Sequence, residues 1–469
     1  MATQLQNPEQ KPLFTRQMLL KLIIPLVIEQ FLLMSVGMAD TVMVTTAGEA
    51  AVSGVSLVDN INLLLIQVFA ALGTGGAVVV SQYLGRKEPE NARVAAKQLL
   101  YAVTIVSTIL MALALLFRHQ ILSLLFGTIE PEVLDSALSY FIATALAYPF
   151  MALYNAGSAL FRSMGNSKVS MFNSLLINII NIVVNAILIF GFGMGALGAG
   201  IGTLVSRVVA AVLIIVLLQH ENCPLRVERL FHPEFHRRII QRILMIGIPN
   251  GLENSLFQVG KLMVLRLITS LDAIALAAAA GTVAVGSAVT ANAIAGSIAG
   301  VANVPGAAMG LAMITVVGQC VGAREVEQAV RYTRKLLTVA YLSVGTLCII
   351  EFFIAAPLVG MFHLSAETAA MAVTVLQWSA VFTVFFWPLA FTLPSALRAS
   401  GDAMFTMCVS LFSMFAFRIA LSYVLASAWG FDMGLLGVWV AMFIDWIVRA
   451  AAFLTRFLRG KWKKIKLIG

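Results

Sequence analysis

The sequence carries carboxylates inside apolar segments that are long enough to cross a membrane. The six acidic residues placed this way are Glu29, Asp40, Asp59, Glu253, Glu351 and Asp445. Five basic residues share these segments, namely Arg207, Lys261, Arg266, Arg418 and Arg449. An ionisable group in hydrocarbon is costly, so it marks an ion or substrate pathway unless an opposite charge pairs with it. We expect such structural pairs to involve Glu351, Asp445, Arg207 and Arg449.

Asp40 differs from the other acids because its repeat position in the second half holds an apolar residue, Val264. Further along, Asn178, Asn181 and Asn185 are spaced three and then four residues apart, which places them on one helix face. Amides can coordinate a hard cation or hydrogen-bond a protonated carboxyl, so this set predicts an H⁺ or Na⁺ site. The alternative is that the asparagines join helices to one another. We expect Asn181 and Asn185 within a few ångströms of the Asp40 carboxyl.

Two further carboxylates, Glu29 and Glu253, each follow a proline by one helical turn, after Pro25 and Pro249. Each carboxylate either carries a proton or hydrogen-bonds the backbone that the proline leaves free. Lys261 lies two turns beyond Glu253 and is too far along the helix to pair with it directly. We therefore assign Glu253 to ion coupling. We assign four residues to substrate binding: Glu29, Asn178, Gln258 and Lys261.

The elements that must position these residues are membrane helices. Of 469 residues, 60% are hydrophobic and only 11% are charged, against roughly 25% charged in soluble domains. Apolar runs of about 20 residues recur, each sufficient for one crossing. The fold class is therefore an all-α polytopic membrane protein. The predicted spans are 18–45, 55–84, 92–117, 134–161, 169–190, 195–218, 243–269, 283–318, 332–356, 368–397, 403–426 and 433–457.

Basic residues fix the predicted orientation. If the N-terminus is cytoplasmic, 25 of the 31 Lys and Arg residues flank the spans on the cytoplasmic side, and only Arg118 lies in an outer loop. Both termini are therefore predicted to be cytoplasmic. The net charge of +9 reflects the basic residues beside the spans and does not indicate nucleic-acid binding. The four cysteines lack a CxxC pair, and His232 and His236 lack a third ligand, so we expect no metal site.

The second half of the chain repeats the first. Residues 52–86 align with residues 289–323 at a constant offset of 237, with nine identities in 35 positions. Six spans in each half make the halves parallel repeats that can rock against each other, as in secondary transporters. The predicted organisation is a cytoplasmic N-terminal segment (1–17), a first lobe (18–218), a cytoplasmic loop (219–242), a second lobe (243–457) and a basic cytoplasmic tail (458–469).

Other function classes lack their signatures. The sequence contains no GxxxxGK[ST] phosphate loop, so the chain is not expected to hydrolyse ATP. It also lacks a Ser/His/Asp or Cys/His cluster, which argues against a membrane-embedded enzyme. We expect no cofactor other than a transported H⁺ or Na⁺.

Several motifs together resemble the MATE family of multidrug and toxic compound extrusion transporters. They are Gly37-Met-Ala-Asp40, Ser81-Gln82-Tyr83-Leu-Gly85-Arg86, the asparagines of the fifth span, Gly318-Gln319-x-x-Gly322 and Arg398-Ala-Ser-Gly-Asp402. The resemblance implies two six-helix lobes in a V and antiport of organic cations against H⁺ or Na⁺. It implies Asp40 as the coupling acid. The polar cluster that it implies around Asp40 consists of Tyr140, Asn155, Asn181, Asn185 and Thr203.

The chain departs from the family pattern in ways that favour H⁺ over Na⁺. An acid that some members carry in the fifth span is Asn185 here, and 378–397 holds no acid. We expect small amphipathic organic cations as cargo for a monomer in the cytoplasmic membrane. The alternative is a flippase for a lipid-linked saccharide, which requires a cationic cavity. The two functions are distinguished by whether four basic side chains face that cavity. These side chains are Arg207, Lys261, Arg266 and Arg418.

Overall fold

The computed structural model describes residues 12–127, 130–228, 230, 232, 234–278, 287–427 and 430–468, and of 36–42 and 274–278 it describes the backbone alone. Within these residues the regular structure is helical. The helices of the first half are α1 (Arg16–Thr45), α2 (Glu49–Gly85), α3 (Pro89–Leu116), α4 (Arg118–Phe126), α5 (Pro131–Leu146), α6 (Tyr148–Ser163), α7 (Ser167–Ala186) and α8 (Gly195–Gln219).

The second half follows the same order. Its helices are α9 (Arg237–Ala278), α10 (Ala288–Gly322), α11 (Val326–Gly360), α12 (Ala366–Trp387), α13 (Leu393–Ala399), α14 (Ala403–Ser413), α15 (Leu421–Ala426) and α16 (Gly434–Leu458). Three wider turns of π-helix continue or join helices at Ile187–Gly191, Pro388–Thr392 and Met414–Ala420. Each π-turn leaves its span continuous in sequence but changes the direction of side chains around it.

The predicted fold class is confirmed. Ten helices of the described chain are long and apolar enough to cross a membrane, and the pair α5 and α6 forms one more. The 42-residue helix α9 occupies the place of the seventh span. The fourth span, predicted at 134–161, bends by 46° between α5 and α6, where Pro149 lies in the first turn of the new helix. Helix α9 also begins at Arg237, inside the predicted loop of 219–242.

The repeat extends to backbone torsions. Lys87 and Arg324, which are 237 residues apart, end α2 and α10 with φ angles of 61° and 62°. Gly165 and Gly401, which are 236 residues apart, also match, at φ angles of 79° and 103°. Non-glycine residues rarely adopt positive φ, so a matched pair shows that the two halves turn the chain in the same way.

The two lobes meet through the first two helices of each half. Helix α2 packs along α9 and α10, and α1 packs against α10. Within each lobe, α1 packs on α7 and α9 packs on α14. One hydrophobic cluster contains residues of both lobes, among them Leu22, Val78, Ile246, Met313 and Val317, and all five are buried. This shared core removes apolar side chains from solvent between the lobes.

The lobes approach each other closely and reciprocally at Gly85 and Gly322. A Cβ atom at Gly85 would lie 2.0 Å from the carbonyl oxygen of Gln319, and a Cβ atom at Gly322 would lie 2.0 Å from that of Gln82. The side chain of Gln82 donates a hydrogen bond to the Ala399 carbonyl at 2.8 Å. Each lobe therefore supplies a Gln-x-x-Gly segment that crosses its counterpart, and only glycine leaves room for the opposite backbone.

This contact closes the molecule on the side of its termini. Gln319 completes the symmetry by donating to the Ser163 carbonyl at 2.7 Å. Near the N-terminus, the backbone of Phe14 bonds Tyr332. Near the C-terminus, Trp462 is buried and stacks on Phe457 with 5.4 Å between ring centroids. The segment predicted as a basic tail is therefore partly packed against the protein.

Candidate functional site

The asparagines of α7 are buried between helices, as their spacing predicts. Asn178, Asn181 and Asn185 are exposed by no more than 6%. The Nδ2 atom of Asn181 lies 3.4 Å from the Thr203 hydroxyl on α8, and that of Asn185 lies 3.4 Å from the Asn181 amide oxygen. A Cβ atom at Gly202 would lie 1.8 Å from the Asn185 oxygen, so α8 packs directly on this amide. The structure brings Asn181, Asn185 and Thr203 together.

Asn178 belongs to the same face but has a packing role. Its Nδ2 atom donates to the carbonyl oxygen of Leu32 in α1 at 2.9 Å. This bond turns the amide face of α7 toward α1, the helix that carries Asp40, and away from lipid. The side chain of Asp40 lies outside the described residues, so its predicted distance from Asn181 and Asn185 stays a prediction.

A second carboxylate, Asp59 in α2, lies in the same lobe. Its Oδ1 atom accepts hydrogen bonds from the Tyr140 hydroxyl at 2.8 Å and from the Asn62 amide at 3.3 Å. Asn62 in turn accepts from the Tyr148 hydroxyl at 3.0 Å. We predicted Tyr140 as a site residue but did not single out Asp59. Its repeat position is Gly296, so the criterion that selected Asp40 would also have selected Asp59.

The structure does not connect Asn155 with this cluster through any described hydrogen bond of its side chain. Its Nδ2 atom donates to the Met151 carbonyl one turn earlier in α6, at 2.9 Å. Tyr140 packs against α8, the helix that also contacts the asparagines of α7. A Cβ atom at Gly200 in α8 would lie 3.3 Å from the Tyr140 ring. The polar cluster is therefore built on α2, α5, α7 and α8.

Glu29 and Glu253 form matching ion pairs. Glu29 accepts from Arg162 at 3.0 Å and from the hydroxyl of Ser170. Glu253 accepts from Arg398 at 2.8 Å and from the hydroxyl of Ser410 at 2.7 Å. Each pair joins the first helix of a lobe to the end of its fourth span. The arginines were missed, although both occur in the repeated Ser-Ala-Leu motifs of the sequence.

These pairs change the interpretation of both glutamates. Glu29 is 2% exposed and Glu253 is 6% exposed. A buried carboxylate with an arginine partner needs no backbone donor freed by proline. The role of Glu253 in ion coupling stays a prediction. Glu29, whose predicted contact with substrate stays a prediction, is a partner of Arg162.

The second lobe contains a further charge cluster. Asp445 is fully buried and accepts hydrogen bonds from Arg449 at 2.7 Å and from the Ser413 hydroxyl at 2.6 Å. Asp445 and Arg449 were each expected in a structural pair, and they pair with each other. Arg418 lies 3.8 Å from the same carboxylate. Asp445 therefore balances one of two buried guanidinium groups.

The other two residues that we expected in structural pairs, Glu351 and Arg207, have different surroundings. Glu351 forms no ion pair with a described residue, and its buried Oε1 atom has no described hydrogen-bond partner, so the pairing prediction is wrong for the described part of the chain. Arg207 stacks over the ring of Tyr154, with 5.9 Å from its Cζ atom to the ring centroid. The described acidic, histidine and cysteine residues include no group of three that could hold a metal ion.

Gln258 and Lys261, both predicted to bind substrate, line a cavity of about 290 Å³ together with Glu253 and Arg398. Lys261 also lines a larger cavity, of about 650 Å³, inside the second lobe, together with Arg418. Two basic side chains on one cavity wall repel a cation. The prediction that Lys261 binds a cationic substrate therefore conflicts with its surroundings.

Comparison with known proteins gives consistent results for both halves. The sequence model of the MatE family matches residues 25–187 and 249–424. A probable multidrug resistance protein NorM of Thermotoga maritima is 28% identical over 457 residues, which cover 96% of this chain and 93% of the relative.

Two solved structures have the same fold. One is a multidrug resistance MATE transporter in an outward-facing conformation, with a TM-score of 0.85, 21% identity and coverage of 96% and 97% of the two chains. The other is a MOP superfamily transporter from Pyrococcus furiosus, described as having a binding pocket of reverse polarity, with a TM-score of 0.86, 19% identity and the same coverage. These likenesses confirm a multi-pass membrane fold of two six-helix lobes.

Proposed function

Because the chain belongs to the MatE family, we propose that it exports small amphipathic organic cations by antiport against H⁺ across the cytoplasmic membrane. The observation that carries the proposal is the buried amide face of α7, which contacts α1 through Asn178 and Leu32. Asp40 lies two turns further along α1. In this proposal Asp40 is the coupling acid, and Asn181, Asn185 and Thr203 stabilise its protonated form through neutral amide and hydroxyl groups.

Alternating access supplies the transport cycle in this proposal. The lobes are in contact on the side of the termini through Gln82, Gly85, Gln319 and Gly322. Protonation of Asp40 from the outer side removes a charge from the membrane interior, and a bound organic cation competes for the ionised form. Proton and cargo therefore exclude each other in the first lobe, which is the requirement for exchange.

Replacing Asp40 by asparagine is expected to reduce export to background, because the side chain can no longer exchange a proton for a cation. The measurement is efflux of ethidium from proteoliposomes under an imposed pH difference. Asp59→Asn serves as the comparison, since Asp59 is already bonded to Tyr140 and Asn62. Wild-type efflux by Asp40→Asn, with loss in Asp59→Asn, would move the coupling role to Asp59.

We expect a pH gradient alone to drive export. A Na⁺ site usually gathers several oxygen ligands around at least one carboxylate. In this proposal Asp40 is the one carboxylate, and helix α7 adds neutral amides and no second acid. One-for-one exchange with a monovalent cation moves no net charge, so each pH unit supplies about 1.4 kcal/mol, or roughly a tenfold cargo gradient. The deciding measurement imposes ΔpH and ΔNa⁺ separately. Robust efflux under ΔNa⁺ at equal pH, with none under ΔpH, would refute H⁺ coupling.

A second candidate function is the flipping of a lipid-linked saccharide. The observation that favours it is the cationic wall that Lys261 and Arg418 give the large cavity of the second lobe. Arg266 does not line this cavity, and Arg207 lies in the first lobe against Tyr154. Translocation of a polyprenyl-pyrophosphate-linked sugar by the reconstituted protein, without efflux of ethidium, would establish this function in place of the first.

A further inference from the structure

The large cavity of the second lobe combines aromatic walls with basic side chains. It lies between α9, α10, α12 and α16 and has a volume of about 650 Å³. Its aromatic lining consists of Trp387, Phe391, Trp439 and Trp446, together with Phe257. A volume of this size accommodates a drug-sized molecule. The walls suit a ligand with a flat or flexible apolar body.

Three cations surround the ring of Phe257. The centroid of this ring lies 5.2 Å from the Lys261 Nζ atom, 4.8 Å from the Arg418 Cζ atom and 5.2 Å from the Arg449 Cζ atom. An aromatic face stabilises a cation, but only by about 0.5–2 kcal/mol. It cannot replace a counter-charge for three cations inside a membrane protein.

The carboxylates near these cations are too few. Asp445 is bound by Arg449 and Ser413, and Glu253 is bound by Arg398 and Ser410. Four basic residues therefore meet two acidic residues around the two adjoining cavities. Lys261 and Arg418 hold the surplus, because Lys261 has no described carboxylate within ion-pair distance and Arg418 shares Asp445 at 3.8 Å.

Arg418 also has a donor, its Nη1 atom, that lies 3.8 Å from the Asp445 Oδ2 atom and is too distant to hydrogen-bond it. Its side chain is 9% exposed, and its Nη1 atom is buried without a hydrogen-bond partner among the described residues. A buried donor of this kind costs about 1–3 kcal/mol when it remains unsatisfied, and more when it is charged. An acceptor oxygen from a bound molecule would remove that cost and would also neutralise the surplus charge.

We propose that this cavity binds an amphipathic anion. Lys261 and Arg418 hold its carboxylate, sulfonate or phosphate group, and the tryptophan side chains surround its apolar body. The anion is either a free organic acid or the head group of an anionic lipid. The site lies in the lobe opposite Asp40 and does not depend on the coupling ion, so it stands apart from cation export in the first lobe.

The test compares two probes with one aromatic body and opposite charge, 1-pyrenebutyrate and 1-pyrenemethylammonium. The purified full-length protein in phosphatidylcholine nanodiscs is titrated with each probe, and energy transfer from tryptophan to pyrene reports binding. We expect the carboxylate probe to bind at least about tenfold more tightly. Lys261→Gln should weaken its binding about tenfold or more, because a charge-assisted contact is lost, while Lys261→Arg should retain it.

Arg266→Gln is the matched control, because it removes a charge from the same helix outside the cavity lining. Adding phosphatidylglycerol to the nanodiscs separates the two sources. If phosphatidylglycerol competes with 1-pyrenebutyrate in the wild-type protein but not in Lys261→Gln, the site binds lipid head groups. If phosphatidylglycerol does not compete with the probe, the site binds free organic anions. Equal affinity for both probes would overturn the proposal, as would a folded Lys261→Gln variant with unchanged binding. The comparison of the probes on the wild-type protein decides the matter even if that variant does not fold.

Discussion

Alanine at Gly85 or at Gly322 is expected to abolish export by holding the lobes apart on the side of the termini. The added Cβ atom would lie 2.0 Å from a carbonyl oxygen of the opposite lobe. That oxygen belongs to a helix backbone and cannot rotate away as a side chain can. Alanine normally stabilises a helix by about 1 kcal/mol relative to glycine, so any loss comes from the contact between the lobes and not from helix propensity.

The opening can be measured directly by spin labels at Glu90→Cys and Glu327→Cys, two exposed and repeat-related positions beyond the crossing, after Cys408→Ser removes the exposed native thiol. We expect longer distances in Gly85→Ala and Gly322→Ala than in the parent protein. Gly345→Ala is the control, because its nearest neighbour would be 4.0 Å away. Unchanged distances and unchanged export in both variants would show that this crossing is not the closed gate.

Removing Arg398 is expected to destabilise the second lobe by about 3–5 kcal/mol, because Glu253 would remain buried without its counter-charge. Glu253→Gln should also destabilise, since it leaves Arg398 unpaired. The double variant Glu253→Gln with Arg398→Met should recover much of the loss, because neither charge is then left alone. The measurement is the free energy of unfolding in detergent, and Arg162→Ala should reproduce the effect in the first lobe.

The control for this prediction is Arg93→Ala. Arg93 pairs with Glu90 at 2.9 Å, but these side chains are 40% and 81% exposed, so the expected effect is about 0–1 kcal/mol. The contrary outcome is a stable Glu253→Gln protein whose transport shows a displaced pH dependence. That result would return Glu253 to the role of a titrating group and would make its pairing with Arg398 incidental to stability.

Much of the fold could be predicted because its signals are local. Apolar length gives the spans, and the 237-residue repeat gives two lobes. The 46° bend between α5 and α6 was not predicted, since Pro149 is compatible with either a kink or a helix start. The face of α7 was predictable because three asparagines at helical spacing can share only one side.

The partners of the charged residues could not be predicted with the same success. Glu29 and Arg162 are 133 residues apart. Six spans can pack against one another in many ways, so the spacing of residues in the sequence does not show which helices are neighbours. The repeat held the missing information. Glutamate after proline and arginine after Ser-Ala-Leu recur together in both halves, and two residues that recur together are candidates for contact. Asp59, like Asp40, has no acidic counterpart in the second half. This criterion was applied to Asp40 alone, so Asp59 was missed.

The reciprocal crossing of Gln82, Gly85, Gln319 and Gly322 has a consequence for the descent of the chain. A single six-helix protein that dimerised about a twofold axis would meet its own copy through the same Gln-x-x-Gly on both sides. Any substitution there would alter the interface twice at once. Duplication and fusion of the gene free each half to change alone. Asp40 and Asp59 in one half, and Lys261 and Arg418 in the other, are differences that no symmetric dimer can hold.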